Sequence, residues 1–192
     1  MFWPWQFRFL ALTLTLLAAC QSLHPPVKGI PNFAAVDAGR KIYRGGEPLS
    51  LDSWRYIKSL GVRTVVKLNT EDESKDYGAS KVGLTVVRLQ IDRHEQWAGS
   101  PKLDGTIRRA VSNMSRGAVF VHCGSDSRSK PDSFDALFDA QGGQDRTGLV
   151  VGCYRVWVQH QSKTVARAEM KSFRFHALLL PGLANYWRDN VK

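Results

Sequence analysis

Three β-branched runs are separated by helical stretches. The runs are RTVVKLN (63–69), LTVVRLQI (84–91) and GAVFVHC (117–123). Their composition, bounded by glycine and polar residues, predicts strands. Before the first, Ser50 stands where it can cap a helix over LDSWRYIKSLG, with Leu51, Trp54, Ile57 and Lys58 in helical spacing and Gly61 as the stop. Between the others, SKDYGASKVG predicts a weak helix and the stretch from Pro101 to about Ser115 a stronger one. RTGLVVGCYRVWVQHQ, TVARAEMKSF and LLPGLANYWRDN predict three more, and KIYRGGEP a short strand entering a turn. Alternating strands and helices argue for an α/β domain with a mainly parallel central sheet flanked by helices. In such sheets the ligand sits beyond the carboxyl ends of the strands. Cys123 ends an apolar strand at that position.

With 192 residues, the chain has room for one domain with a sizeable core. Its formal charge of +10 favours anionic partners, among them phosphorylated substrates, nucleic acid and acidic membrane surfaces. No nucleic-acid-binding motif accompanies the charge, so no nucleic-acid partner is expected. The five histidines show no metal-ligand spacing and no Cys/His cluster is present, so neither metal nor cofactor is expected.

The first 19 residues, one arginine followed by an apolar run from Phe9 to Ala19, have the form of a signal peptide. The run is too short to span a bilayer comfortably as a helix. Leu17-Ala18-Ala19-Cys20 resembles the lipobox of bacterial lipoproteins. That resemblance implies export, lipidation of Cys20 and an anchor in the cell envelope. Gln21 implies the outer membrane if the envelope is Gram-negative. Residues 20–34, rich in proline, read as anchor and tether, and the folded domain is expected over 35–192. Of the two remaining cysteines, Cys153 lies in an apolar helical run and reads as core, which leaves Cys123 for chemistry.

A cysteine that attacks a phosphate ester must be a thiolate, and cations or a helix N-terminus favour that form. The dianionic phosphate needs inward-pointing amides and a bidentate cation. A strand, a cysteine, five loop residues, an arginine and a helix satisfy both needs. Here 22 residues separate Cys123 from Arg146. Removal of Gly124–Ala140, 17 residues, leaves VHC-QGGQD-RTG with the spacing of five. That pattern resembles the signature of the cysteine-dependent phosphatases, in particular the dual-specificity group. YRGGEP (43–48), GVRTVVKLN (61–69), YR (154–155), AEM (168–170) and FHALLLPGLANYW (175–187) resemble further parts of that family.

The resemblance implies a dual-specificity-phosphatase-like fold and hydrolysis of phosphate monoesters, on a phosphoprotein or an inositol phosphate. It implies that Cys123 is the nucleophile, that Arg146 grips the phosphoryl oxygens and that His122 supports the thiolate. Thr147 would hydrogen-bond the sulfur. Gln141, Gly142, Gly143, Gln144 and Asp145 would supply loop amides. A general acid is also needed. Asp92, after the strand LTVVRLQI, is the candidate, with Glu95 second.

The insertion 124–140 carries four aspartates against one arginine and one lysine. Phe134, Leu137 and Phe138 have the spacing of one apolar helical turn. Three outcomes stay open: the segment loops out and its ends meet, it leaves a half-loop that binds phosphate without turnover, or it folds over the site as a lid.

Overall fold

The computed structural model describes residues 24–69, 77–92, 101–124 and 142–192. Among the described residues, five strands and six helices follow one another as β1 (Ala34–Asp37), β2 (Ile42–Gly46), α1 (Leu51–Ser59), β3 (Thr64–Lys67), α2 (Tyr77–Lys81) and β4 (Thr85–Arg88), then α3 (Pro101–Ser115), β5 (Val119–Cys123), α4 (Asp145–Trp157), α5 (Lys163–Ser172) and α6 (Pro181–Asn190). They form one sheet in the order β1-β2-β5-β3-β4. All pairs are parallel except β1 with β2 at the edge.

β5 is central, and all five of its residues are buried. This is why its sequence is apolar without alternation, as expected for a strand covered on both faces. Val119, Val121 and Cys123 face the larger core, built with α3, α4, α5 and α6. Phe120 faces a smaller core with Trp54, Ile57 and Ala79 from α1 and α2. Helices therefore cover both sides of the sheet. Ser50 caps α1 as its sequence predicts, its Oγ accepting from the Ser53 N–H at 3.1 Å. Gly61 comes next in the left-handed region, φ +80°.

α4 is buried from Arg146 to Tyr154, so it runs as a central helix rather than an amphipathic surface one. Two of the motifs singled out in the sequence meet behind it. Arg155 donates from Nε and Nη2 to both carboxylate oxygens of Glu169, at 2.7 and 3.0 Å, and from Nη1 to the Val36 carbonyl at 2.8 Å. That fork joins α4, α5 and β1.

One expectation is corrected here. The tether does not extend to residue 34: His24 stacks on Phe173 with ring centroids 3.8 Å apart, and Ile30 is fully buried in the smaller core. A Val27–Ile30 bridge turns this segment back onto the domain. Its prolines and glycine shape a turn rather than a free linker. Residues 1–23, with Cys20, lie outside the described residues.

Candidate active site

Cys123 sits at the carboxyl end of the central strand, 3% exposed. The chain that resumes at Gly142 returns to it. The Gly143 N–H points at both Cys123 Sγ and the Cys123 carbonyl, each at 3.2 Å. Gly142 and Gly143 both adopt left-handed backbone, φ +76° and +75°, where glycine alone is unstrained. Their lack of a side chain is also used sterically. A Cβ on Gly143 would lie 2.4 Å from the Gly45 carbonyl carbon and the Gly46 nitrogen.

Two side chains from the start of the domain hold this turn. Asn32 Nδ2 donates to the Gly142 carbonyl at 2.8 Å, and Arg44 Nη2 donates to the Gly143 carbonyl at 2.7 Å. Arg44 is buried on β2, its guanidinium 3.6 Å above the Phe173 ring. Burial pushes its pKa down to about 10, opposed by its interactions with Glu169 and Cys123. Even so it stays cationic at neutral pH.

Arg146, 2% exposed, is the second residue of α4 and turns its guanidinium across the loop. Nη2 donates to the Gly124 carbonyl at 3.0 Å, and Nη1 to the Ile91 carbonyl at 3.4 Å. Gly124 after β5, the start of α4 and the segment before Asp92 are thus drawn together at one cation. Gln144 leaves the N-terminus of α4 without a side-chain cap, so its side chain does not take up the first N–H groups of the helix. Lys67, buried at the end of β3 in register with His122, adds a third nearby cation.

The supporting residues depart from the resemblance. His122 is fully buried between the rings of Phe120 and Trp54. Burial first, then Lys67 and Arg146, pushes its pKa down to about 3. The imidazole is neutral, and neither ring nitrogen has a hydrogen-bond partner among the described residues. The Thr147 hydroxyl, also buried, makes no bond to the sulfur; the Gly143 amide occupies that role. The Asp145 carboxylate turns away and accepts from the His176 backbone N–H at 2.7 Å. Asp92 is exposed, one residue beyond the carbonyl that Arg146 contacts. Gln141 and Glu95 lie outside the described residues, as do 125–140.

The sequence reading missed Asn32, Arg44, Glu47, Lys67 and Asn69. Glu47 and Asn69 are buried beside Gly124, where a Cβ would come within 2.9 Å of Asn69 Nδ2 and Glu47 Oε2. A signal was available: an arginine or lysine inside a short apolar strand must find a buried partner. Among the described residues no three His, Cys, Asp or Glu side chains are grouped as metal ligands.

No protein-family profile matches the chain. It is 27% identical over 163 residues to inositol diphosphatase DSP4 of Arabidopsis thaliana, covering 77% of this chain and 71% of that protein. Among solved structures, P. aeruginosa TpbA superposes with a TM-score of 0.56 at 22% identity, covering 81% of this chain and 88% of TpbA. The core catalytic domain of PP-IP phosphatase SIW14 from S. cerevisiae superposes with a TM-score of 0.58 at 19% identity, covering 86% and 91%. The fold is that of the dual-specificity-like phosphatases. The Arabidopsis relative is named an inositol diphosphatase and the yeast neighbour a PP-IP phosphatase, in line with the phosphatase pattern of VHC and QGGQD-RTG.

Proposed function

We propose that this chain is a phosphate monoester hydrolase working through Cys123. The observation that carries the reading is the return of Gly143 to within 3.2 Å of Sγ although the insertion lies between them. Of the three outcomes the sequence leaves open, meeting ends fit this geometry. The thiolate attacks phosphorus; the S–P bond forms and the P–O bond to the leaving group breaks. Asp92 gives its proton to that oxygen. Arg146 and the amides at the start of α4 hold the charge on the phosphoryl oxygens. Water then attacks phosphorus, Asp92 takes its proton, and the S–P bond breaks to release phosphate. The substrate is a phosphoprotein or an inositol phosphate, the latter in line with the name of the Arabidopsis relative.

A second reading rests on specific contacts. His122 and Thr147 do not reach the sulfur, and Arg146 is bonded to backbone carbonyls. A domain that binds phosphate without turning over would look the same. Hydrolysis of p-nitrophenyl phosphate separates the two: turnover abolished by Cys123→Ser supports the enzyme, and phosphate binding with no turnover supports the binder. The lipobox-like segment adds that the domain is exported and anchored through Cys20. Incorporation of labelled fatty acid, lost in Cys20→Ser, tests this.

A further inference from the structure

The turn between α5 and α6 presents apolar side chains to water. Ala177, Leu178, Leu179 and Leu180 follow one another there, and Leu178 is 95% exposed with Leu179 exposed beside it. The other large apolar side chains exposed among the described residues, Leu49 and Val165, stand singly. Single exposed leucines or valines are ordinary on a protein surface. A run of four apolar residues at the surface is not. This run is also held in shape. The Leu179 and Leu180 N–H groups donate to the His176 carbonyl at 3.1 and 3.0 Å. The His176 N–H in turn donates at 2.7 Å to the carboxylate of Asp145, the first residue of α4. The leucines therefore project from a fixed turn just beyond a contact with the N-terminal end of α4.

The charge around the turn has one sign. From Lys163 to Arg188 the chain carries five cations, Lys163, Arg167, Lys171, Arg174 and Arg188, against one carboxylate, Glu169. That carboxylate is taken up by Arg155 at 2.7 and 3.0 Å. Arg167 lies 4.9 Å from the Phe175 ring centroid, and Lys171 is exposed. Neither makes an ion pair among the described residues. Leucines bordered by arginine and lysine are the combination by which protein surfaces settle into the interface of an anionic bilayer.

The N-terminal chain leads to the same place. His24 stacks on Phe173, which caps the C-terminal end of α5 five residues before Leu178. Only Gln21, Ser22 and Leu23 separate His24 from Cys20. Four peptide steps reach at most about 14 Å. A lipid on Cys20 would therefore keep His24, and the Phe173 ring against it, close to the bilayer surface.

We infer that this face is a membrane-docking surface. The 177–180 turn enters the headgroup region of an anionic bilayer, and Arg167 and Lys171 meet the headgroup phosphates. The inference rests on the proposed lipidation of Cys20 for its orientation, whereas the turn and its cations stand without it.

The test places a fluorophore on the turn. Leu178→Cys and Val165→Cys are made separately in the full-length chain, and the introduced thiol is labelled with an environment-sensitive nitrobenzoxadiazole group. Cys123 and Cys153 are buried, and the unsubstituted chain, labelled in parallel, gives the background from Cys20. Each chain is bound to vesicles of phosphatidylcholine and phosphatidylglycerol that contain nitroxide-bearing lipid. The label at position 178 is expected to be quenched at least about twofold more strongly than the label at 165, as for a group about 5–10 Å into the headgroup boundary. Equal quenching at the two positions in a vesicle-bound chain, or a chain that does not bind the vesicles, overturns the inference. Quenching at 178 that is as strong in phosphatidylcholine alone overturns the part given to Arg167 and Lys171. Fatty acid on Cys20 is measured on the same samples, which separates the two readings. A chain without fatty acid whose position 178 is still quenched supports the docking face and refutes the anchor. A lipidated chain whose position 178 is not quenched keeps the anchor and refutes the docking face.

Discussion

Replacing Gly143 with alanine tests whether the far half of the interrupted loop completes the site. The new Cβ would lie 2.4 Å from the backbone of Gly45 and Gly46, where ordinary contact begins at 3.4 Å. Backbone cannot swing aside as a flexible side chain can, so the turn has to retreat by about 1 Å. The Gly143 amide, now 3.2 Å from Sγ, then moves out of hydrogen-bond range. A 1 Å misplacement of reacting groups costs on the order of a hundredfold in rate. Holding alanine in left-handed backbone costs about 1–2 kcal/mol more in stability.

Gly105 provides the internal control. It lies within α3 with nothing within 4 Å of its would-be Cβ. Gly105→Ala should gain about 1 kcal/mol from helix propensity and leave the site alone. The assays are kcat/KM on p-nitrophenyl phosphate, Tm, and the rate of iodoacetamide alkylation of Cys123. Burial pushes the Cys153 thiol well above its ordinary pKa, so it stays silent in the last assay. The expected pattern is a Gly143→Ala protein with turnover down about a hundredfold, lower Tm and altered alkylation, beside an active, stabilised Gly105→Ala. A Gly143→Ala protein with wild-type turnover, Tm and alkylation would show that residues 142–146 do not form the working loop.

Three further outcomes are expected from the same contacts. His122 is neutral when folded, with its pKa pushed from 6.5 to about 3, so the unfolded chain binds the extra proton. Its share of stability is complete above pH 6.5 and is lost as pH falls toward 3, and His122→Asn should flatten Tm against pH in that window. Arg155→Lys loses the two-pronged contact with Glu169 and should lower stability in urea by about 1–3 kcal/mol; an unchanged midpoint would sink the idea that this fork ties α4 to α5 and β1. Removing Gly124–Ala140 shortens the Cys123-to-Arg146 connection from 22 residues to five. It should stabilise the domain by about 1 kcal/mol through loop-closure entropy, with turnover kept, whereas a variant that fails to fold would show that the insertion is needed to hold the site.

The fold was legible because its determinants are local. β-branched runs mark β3, β4 and β5, Ser50 marks the start of α1, and the two ends of the nucleophile loop sit at a strand exit and a helix entry. β1 escaped because AAVD is a four-residue edge strand with no apolar pattern of its own. The second tier of the site escaped for a different reason. Arg44 acts on Gly143 from 99 positions away and Asn32 on Gly142 from 110, and nothing local to either residue announces its partner. Support of the thiolate by His122 is implied by the resemblance alone. The packing of Trp54 and Phe120 around it, which keeps it neutral, is a property of the assembled sheet.

Those distant anchors also bear on how residues 142–146 are held beside Cys123 in the proposed nucleophile loop. If that loop were shaped by chain continuity from Cys123, the 17 residues 124–140 would leave Gly142 and Gly143 without a defined position. Their position is instead set from outside. Asn32 and Arg44 fix the two carbonyls, Gly45 and Gly46 form the wall that admits only glycine, and α4 fixes the chain from Asp145 onward. Arg146 then closes the arrangement by reaching back to Gly124 on the near side. None of these contacts is made by residues 125–141. The near half belongs to β5, the far half belongs to β2 and α4, and the parallel register of Gly46 with Cys123 brings the halves together.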